Sequence, residues 1–510
     1  MLASIPSASL LGASGHPVRV EVHVGKGLPG YRIVGLPDTA CRESRDRVRA
    51  AVMSTGDLEW PNKCITVNLA PSGTRKSGAG LDLAIALGVL IADEQLRPGV
   101  VDGLGFVGEL GLDGTLRRVP GVAPMVAVLD DVVAVVPMAS TAEAHVAARR
   151  GVRVASTLAE VVAALIGEAP WPDDPGPSAG TDEPPPPDLA DVRGQPVARR
   201  ALEIAAAGGH HLLLVGSPGS GKTMLAQRLP GVLPPLDRAV SLAATMVHSA
   251  AGLAMPRGGL IATPPFRAPH HTSSTVALVG GGSATLRPGE ISLAHGGVLF
   301  LDELGEFAPA TLDGLREPLE EGVIRVSRAH SHAVLPARFL LVAATNPCPC
   351  GGGPPGWCEC DDLARRRYVR RLSGPLLDRF DLRVAVQRPG VDDLHDPGGG
   401  EPSAVVAARV QAARAVAMTR SGRLNAQLDG AGLDEFAPLT AAARAILRAE
   451  IERDRLTGRG YHRIRRVART VADLRTGSDD RGADLIDVEH VEVALSMRAR
   501  LRGTAQGLVA

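Results

Sequence analysis

The spacing of apolar and polar positions changes character three times along this chain. Residues 18–24, 31–34 and 64–68 are short β-rich runs, while 42–53 and 82–91 carry apolar residues at helical spacing. Between 167 and 189 the pattern lapses. Pro170, Pro172, Pro175, Pro177 and the run Pro184-Pro185-Pro186-Pro187 mix there with acids, Gly and Ser. Such a stretch buries no core and reads as an extended, semi-rigid tether. Beyond it the apolar runs 212–215, 297–301 and 339–344 predict strands, and 198–207 predicts a helix. A second break, 388–402, is rich in Gly, Pro and Asp. After it the sequence is Ala-, Arg-, Leu- and Glu-rich, with helical periodicity and no strand pattern.

The expected class is therefore a multidomain α/β protein. Its parts are an α+β domain over 1–167, a Pro/Gly-rich linker over 168–188, an α/β domain over 189–390 and a helical domain over 391–510. A length of 510 residues accommodates two to four domains. Charges cancel to +0, so any polyanion contact must come from local patches. Aromatics make up 3%, too few for base-stacking platforms to be the main binding device. No apolar run reaches the length of a membrane span, and no basic region precedes the short apolar amino-terminal stretch. The expectation is a cytoplasmic protein with no membrane partner.

After Lys76 the sequence holds a single lysine, Lys222, among dozens of arginines. It lies in Gly216-Ser217-Pro218-Gly219-Ser220-Gly221-Lys222-Thr223, directly after the strand-like run 212–215. That is GxxxxGK[ST] in the context that makes it a phosphate-binding loop. A compact ammonium fits between β- and γ-phosphates, whereas a planar guanidinium fork is too broad for the same nest. The loop predicts a bound nucleoside triphosphate.

Residues 297–301 end in Asp302-Glu303, a Walker B pattern. Asp302, with Thr223, would hold the Mg²⁺ shell, and Glu303 would polarise the attacking water as general base. The run 339–344 ends in Thr345-Asn346, where the Asn346 amide can orient that water as sensor 1. Arg379, in Leu377-Asp378-Arg379-Phe380-Asp381, has two readings: a local ion pair, or an arginine finger inserted into a neighbouring subunit's site. Arg459 opens a predicted helix and would reach back to the γ-phosphate as sensor 2. Arg463, one turn further on the same face, is its rival.

With these residues in hand, a resemblance is evident. Val192-Arg193-Gly194-Gln195, Thr223-Met224-Leu225-Ala226, Ala268-Pro269-His270-His271, Arg287-Pro288-Gly289-Glu290-Ile291-Ser292-Leu293-Ala294-His295, Asn346-Pro347-Cys348-Pro349-Cys350-Gly351 and Ala468-Arg469-Thr470-Val471-Ala472-Asp473-Leu474 resemble the YifB/ComM family of magnesium-chelatase-like AAA+ ATPases. The resemblance covers essentially the whole chain. It implies a P-loop αβα core with a helical lid, ATP and Mg²⁺ as cofactors, and a homo-oligomeric ring, expected to be a hexamer. Each ATP would then lie between two subunits, making Arg379 a residue acting in trans. Two inserts are also implied, over 267–295 and over a hairpin at 323–337 carrying Arg325, Arg328, His330 and His332. In related motors such loops face the central pore, where cations suit phosphates. The plain alternative is that Arg325 and Arg328 solvate a hairpin.

Cys348, Cys350, Cys358 and Cys360 form two CxC pairs across a Gly/Pro-rich bend. Four thiolates on one short loop suit a closed tetrahedral Zn²⁺ site. Free thiols or a redox-labile bridge are the alternatives. Cys41 and Cys64, in apolar contexts, are expected to be buried thiols.

Residues 64–71, Lys76-Ser77-Gly78, 82–86 and 108–114 resemble the carboxy-terminal fold of Lon protease. Where Lon has its nucleophilic serine this chain reads Gly78-Ala79-Gly80-Leu81, and Gly121-Val122-Ala123-Pro124 lacks the lysine. A serine–lysine dyad is therefore absent, and the domain reads as non-proteolytic. ComM-type members of the family are associated with branch migration in recombination and transformation, so DNA is the expected partner. The arginines of 453–469 supply local charge but alternate with Glu450, Glu452 and Asp454. The alternatives are a magnesium-chelatase-type subunit, for which no Asp-x-Ser-x-Ser partner motif is present, or a protein remodeller with the first domain as adaptor.

Overall fold

The computed structural model describes all residues except 57, 179–183, 283–285, 329–330, 352–357, 372–373, 396–399, 477–484 and 499–510. His330 and the Arg328 side chain lie outside the described set.

The amino-terminal part is built on a four-stranded and a three-stranded sheet, with a short two-stranded ribbon of Glu109–Leu110 and Leu116–Arg117. Strands Leu2–Leu11, Ser14–Gly25, Cys64–Ala70 and Gly30–Val34 lie side by side in that order, the last pair parallel. A parallel sheet of Leu104–Phe106, Val133–Pro137 and Val152–Ala155 stands beside it. Helix Asp82–Ala92 is apolar all round and buried along its whole length, so it is a core rod rather than an amphipathic surface helix. Cys41 is buried as expected. Cys64 is exposed, contrary to expectation, because it opens its strand before the alternation turns inward.

The central part carries one five-stranded parallel sheet. Its order is Phe266–Arg267, Val298–Leu301, Leu340–Thr345, Leu212–Val215 and Leu382–Ala385. The three middle strands are buried on both faces, as their continuous apolar runs predict. Burying each large apolar side chain contributes roughly 1.5–3 kcal/mol, which makes the sheet a stiff platform for the loops at its ends. Helices Ser403–Ser421, Gly430–Phe436, Ala441–Glu452, Gly458–Thr476 and Val488–Ser496 follow. They share an apolar core with helix Pro196–Gly208 and one face of the sheet.

The described residues of the linker form neither helix nor strand, but they are not a free tether. Ser178 N donates to Arg257 O at 3.2 Å, and Pro184 to Pro187 line a cavity of about 700 Å³ with Gln227, His248 and Arg267. Nor is the amino-terminal part loosely attached. Helix Arg238–Ala251 of the central part offers Ser249, whose carbonyl accepts from Gly121 N at 2.8 Å. The Ser249 hydroxyl accepts from Ala123 N at 3.2 Å and donates to Glu143 at 2.5 Å. Arg118 completes the contact, donating to Glu143 at 2.9 Å and to Leu253 O at 2.7 Å.

The expected hairpin is present as Val323–Arg328 paired with Ser331–Pro336. Ile324 and Leu335 anchor it in an apolar cluster that Ala13 of the first turn also joins. Arg325 is ion-paired with Glu317 and Glu321 on the preceding helix, so that cation is already neutralised.

Candidate nucleotide site

The phosphate loop leaves the carboxyl end of Leu212–Val215, between two parallel neighbours, where such sheets present ligand crevices. Gly216 is required sterically: a Cβ there would fall 2.3 Å from Val386 O. A cavity of about 470 Å³ is lined by Pro218 to Met224, Asp302, Glu303, Thr345 and Asn346. The motifs identified separately in the sequence thus converge on one space.

Within it, Lys222 Nζ donates to Gly216 O at 2.8 Å, Ser217 O at 3.0 Å and Asn346 Oδ1 at 3.3 Å. Burial pulls its ammonium below the usual lysine range, offset by Asp302 and Glu303. Thr223 Oγ1 lies 2.6 Å from Asp302 Oδ2, a hydroxyl and a carboxylate side by side. Glu303 sits at φ +51, in the left-handed region, with its backbone N–H on Asp302 Oδ1 at 2.9 Å. Its carboxylate meets His271 Nδ1 at 3.1 Å. Gln195, also left-handed at φ +56, donates to Ser220 O at 2.6 Å and braces the loop from behind.

Arg379 does not belong to this space. It precedes Leu382, which pairs in parallel with Leu212, so it lies at the amino end of the sheet. A four-residue strand of about 13 Å separates that end from the phosphate loop. Within this chain Arg379 makes an ion pair with Glu320. Its guanidinium is depressed first by burial, then by the nearby cations Arg463, Arg459 and Arg316. Arg459 is among the cations that act on Arg379, and it is not among the residues lining the cavity at the phosphate loop. The reason is the route of helix Gly458–Thr476, whose amino-terminal half abuts the corner that carries Arg379: Arg463 lies 3.5 Å from Asp381.

That corner holds residues that motif reading passes over. Buried His210 bridges Asp381 (3.2 Å) and Thr470 (2.7 Å), and Asn425 links Thr470 to Asp473. Asp473 takes bidentate bonds from Arg420 and bonds from Arg469. The doubled histidine before the phosphate-loop strand was the available signal for His210, and Ala-Pro-His-His was the signal for His271.

The sulfur atoms of Cys348, Cys350, Cys358 and Cys360 lie within 4.8 Å of one another. Gly351, at φ +91, brings this loop against the phosphate loop: a Cβ there would lie 2.8 Å from Pro218 Cδ. Tyr368, on the helix that follows, donates to or accepts from the Thr345 hydroxyl at 2.9 Å. In the amino-terminal part Lys76 is fully buried, its Nζ bonded to the carbonyls of Pro71 and Thr74. Ser77 donates instead to Leu10 O at 2.8 Å.

Three family models match successive stretches of the chain. Residues 188–394 match the model described as magnesium chelatase, subunit ChlI. Residues 20–139 match subunit ChlI of Mg-chelatase, and 400–498 its carboxy-terminal region. The chain is 42% identical to YifB of Salmonella typhimurium, covering 98% of this chain and 97% of that protein. It is 45% identical to a Mycobacterium tuberculosis protein (96% and 97%) and 40% identical to competence protein ComM of Haemophilus influenzae (98% and 98%). Partial matches reach Lon protease 2 of Bacillus subtilis, 28% identical over 190 residues, and DNA replication licensing factor mcm6 of Dictyostelium discoideum, 27% over 184. The fold and site define a P-loop protein of the AAA+ ATPase class. Within that class, the chain belongs to the YifB/ComM family of magnesium-chelatase-like proteins. Among the described residues no helix is long and apolar enough to cross a membrane.

Proposed function

We propose that this chain is a Mg²⁺-dependent ATP hydrolase that assembles as a homo-oligomeric ring, a hexamer, and works as a motor on DNA. One observation carries the reading. The phosphate loop, Asp302, Glu303 and Asn346 stand at one end of the central sheet, while Arg379, Arg459 and Arg463 cluster at the other. Head-to-tail contact between copies brings the two halves together, and such heterologous contacts close into rings.

In that arrangement Gly216 to Gly221 cradle the phosphates with backbone N–H groups, and Lys222 leaves Asn346 for the β- and γ-oxygens. Thr223 and Asp302 present two oxygen ligands 2.6 Å apart, a donor set that fits a hard divalent cation. Bound Mg²⁺ would supply charge neutralisation on the phosphates. Glu303 accepts the proton of the attacking water and Asn346 holds that water in line. Arg379 of a neighbouring copy, assisted by Arg459, stabilises the charge that develops on the transferred group.

The four cysteines fit a closed tetrahedral zinc site by donor chemistry and separation. Zinc there would brace the loop against Pro218. In this reading the chain divides into 1–167, 168–188, 189–390 and 391–510, with the first unit a non-proteolytic Lon-like module. Its buried, carbonyl-bound Lys76 is unsuited to activate a serine.

DNA as substrate is favoured by the names of two relatives, a competence protein and a replication licensing factor. The test is the ATPase rate with single-stranded, duplex and four-way DNA at several salt concentrations. Stimulation that weakens with salt supports a motor on DNA, with branch migration or unwinding as its work. An unchanged rate with every DNA overturns it. The three ChlI descriptions keep a second reading in view, a chelatase-type or protein-remodelling subunit, which stimulation by a protein partner alone would favour.

A further inference from the structure

The turn that carries Arg379 is held from the foot of the phosphate-loop strand, by the doubled histidine His210-His211. The His211 carbonyl accepts from both Asp381 N and Leu382 N at 3.1 Å. Between Arg379 and Asp381, Phe380 is fully buried in the apolar cluster on one face of the central sheet. The fully buried His210 ring takes the Asp381 side chain, with Nδ1 lying 3.2 Å from Oδ2. A carboxylate only accepts, so Nδ1 carries the proton there. The opposite ring nitrogen shares a hydrogen bond of 2.7 Å with Thr470 on helix Gly458–Thr476. Room for this bridge depends on Gly208, where a Cβ would fall 2.2 Å from His210 Nε2 and 2.4 Å from Thr470 Oγ1.

Arg379 stands among like charges. Arg463, Arg459 and Arg316 all act on its guanidinium. Two acids offset them: Glu320 pairs with Arg379 itself, and Asp381 Oδ1 faces Arg463 Nε at 3.5 Å. With Oδ2 held by His210, Oδ1 is left to face Arg463, a cation that would otherwise push Arg379 aside. A charge-stabilising arginine works only where its guanidinium meets the developing charge, and a displacement of about 1 Å costs roughly 100-fold. We propose that His210 is a positioning residue for Arg379: by holding Asp381 it fixes the turn and the charge balance from which Arg379 reaches the site of a neighbouring copy. Through Thr470 the same ring ties that turn to helix Gly458–Thr476, so a shift of the helix reaches Arg379. This rests on Arg379 acting in trans, as proposed above.

The test places one substitution on either side of a shared site in mixed rings of the full chain. In the control mixture Glu303→Gln supplies Arg379 and Arg379→Ala supplies Glu303, so turnover arises only at interfaces that join the two. Adding His210→Ala to the Glu303→Gln chain should cut that turnover roughly 10- to 100-fold, because the variant then sits in the chain that donates Arg379. Adding it to the Arg379→Ala chain should leave turnover at the control value, since His210 lies at the opposite end of Leu212–Val215 from the phosphate loop. His210→Asn, whose amide places a donor near the position of Nδ1, should restore turnover in the first placement. ATP affinity by fluorescent-nucleotide titration should be unchanged in every chain. Equal loss in both placements, or loss in neither, overturns the positioning role, and so does a fall in ATP affinity that matches the fall in rate. A control mixture with no turnover, in rings shown by native mass spectrometry to contain both chains, refutes the shared site itself and the role built on it.

Discussion

Ser249 donates to Glu143 at 2.5 Å, joining a helix of the ATPase core to the amino-terminal part of the chain. Glu143 is 1% exposed and also takes a hydrogen bond from Arg118. Removing one partner strands the others, which is more damaging than never having had them. Glu143→Ala should cost roughly 2–4 kcal/mol in urea unfolding, most of it from the unpaired Arg118 and Ser249. A wild-type unfolding midpoint would show that this network does not hold the two parts together.

Lys222→Ala should abolish ATP binding in nucleotide titration, because no other lysine lies anywhere in the central part. Glu303→Gln should bind ATP with wild-type affinity yet hydrolyse it roughly 10²- to 10⁴-fold more slowly, the usual contribution of a positioned base. ATP binding by Lys222→Ala at wild-type strength would remove the loop from the account.

The cysteine loop should carry one zinc per chain in elemental analysis of protein purified without chelator. Cys358→Ser should lose the metal and lower the thermal midpoint, since binding energy at such sites is folding energy. Because Gly351 packs on Pro218, the same variant should weaken ATP affinity. Metal-free protein with unchanged melting and ATP affinity would contradict this.

Stability should fall in mild acid for an identifiable reason. Burial pushes both His211 and His295 from the ordinary 6.5 down to about 4. Each is neutral in the fold and accepts a backbone N–H on Nδ1, from Leu341 and Arg338 respectively, both at 3.1 Å. A depressed histidine contributes fully above pH 6.5, and that contribution is lost as the pH falls toward 4. Urea midpoints should drop across that window, and His295→Gln, which keeps an acceptor, should make the drop shallower. Equal slopes would exclude His295.

What was legible in the sequence is what is contiguous in it. The phosphate loop, the Asp302-Glu303 strand end, the Asn346 strand end and the hairpin are each specified within about fifteen residues. Their order along parallel strands delivers them to one end of the sheet. The four thiols are legible for the same reason. Relationships set by which strands become neighbours are not contiguous. The partnership of His271 and Glu303 requires Phe266–Arg267 to occupy the sheet edge beside Val298–Leu301. The position of Arg459 depends on how a helix some 70 residues beyond Leu382–Ala385 docks against the corner that carries Arg379. Cys64 is exposed where its apolar context predicts burial, because one residue's phase at a strand end decides exposure. The linker's proline content predicts a stretch with no core of its own, but not that the central part would offer Pro184 to Pro187 a groove.

The central claim is that each hydrolytic site is shared between two copies of the chain, and turnover in mixed assemblies tests it most directly. Arg379→Ala keeps Glu303, and Glu303→Gln keeps Arg379. Each variant alone should be inactive while still binding ATP. Mixed in equal amounts, about a quarter of the interfaces in a random ring would pair both working halves, and ATP turnover should reappear in that proportion. Wild-type turnover by Arg379→Ala alone, or no recovery in rings shown to contain both variants, would contradict the account.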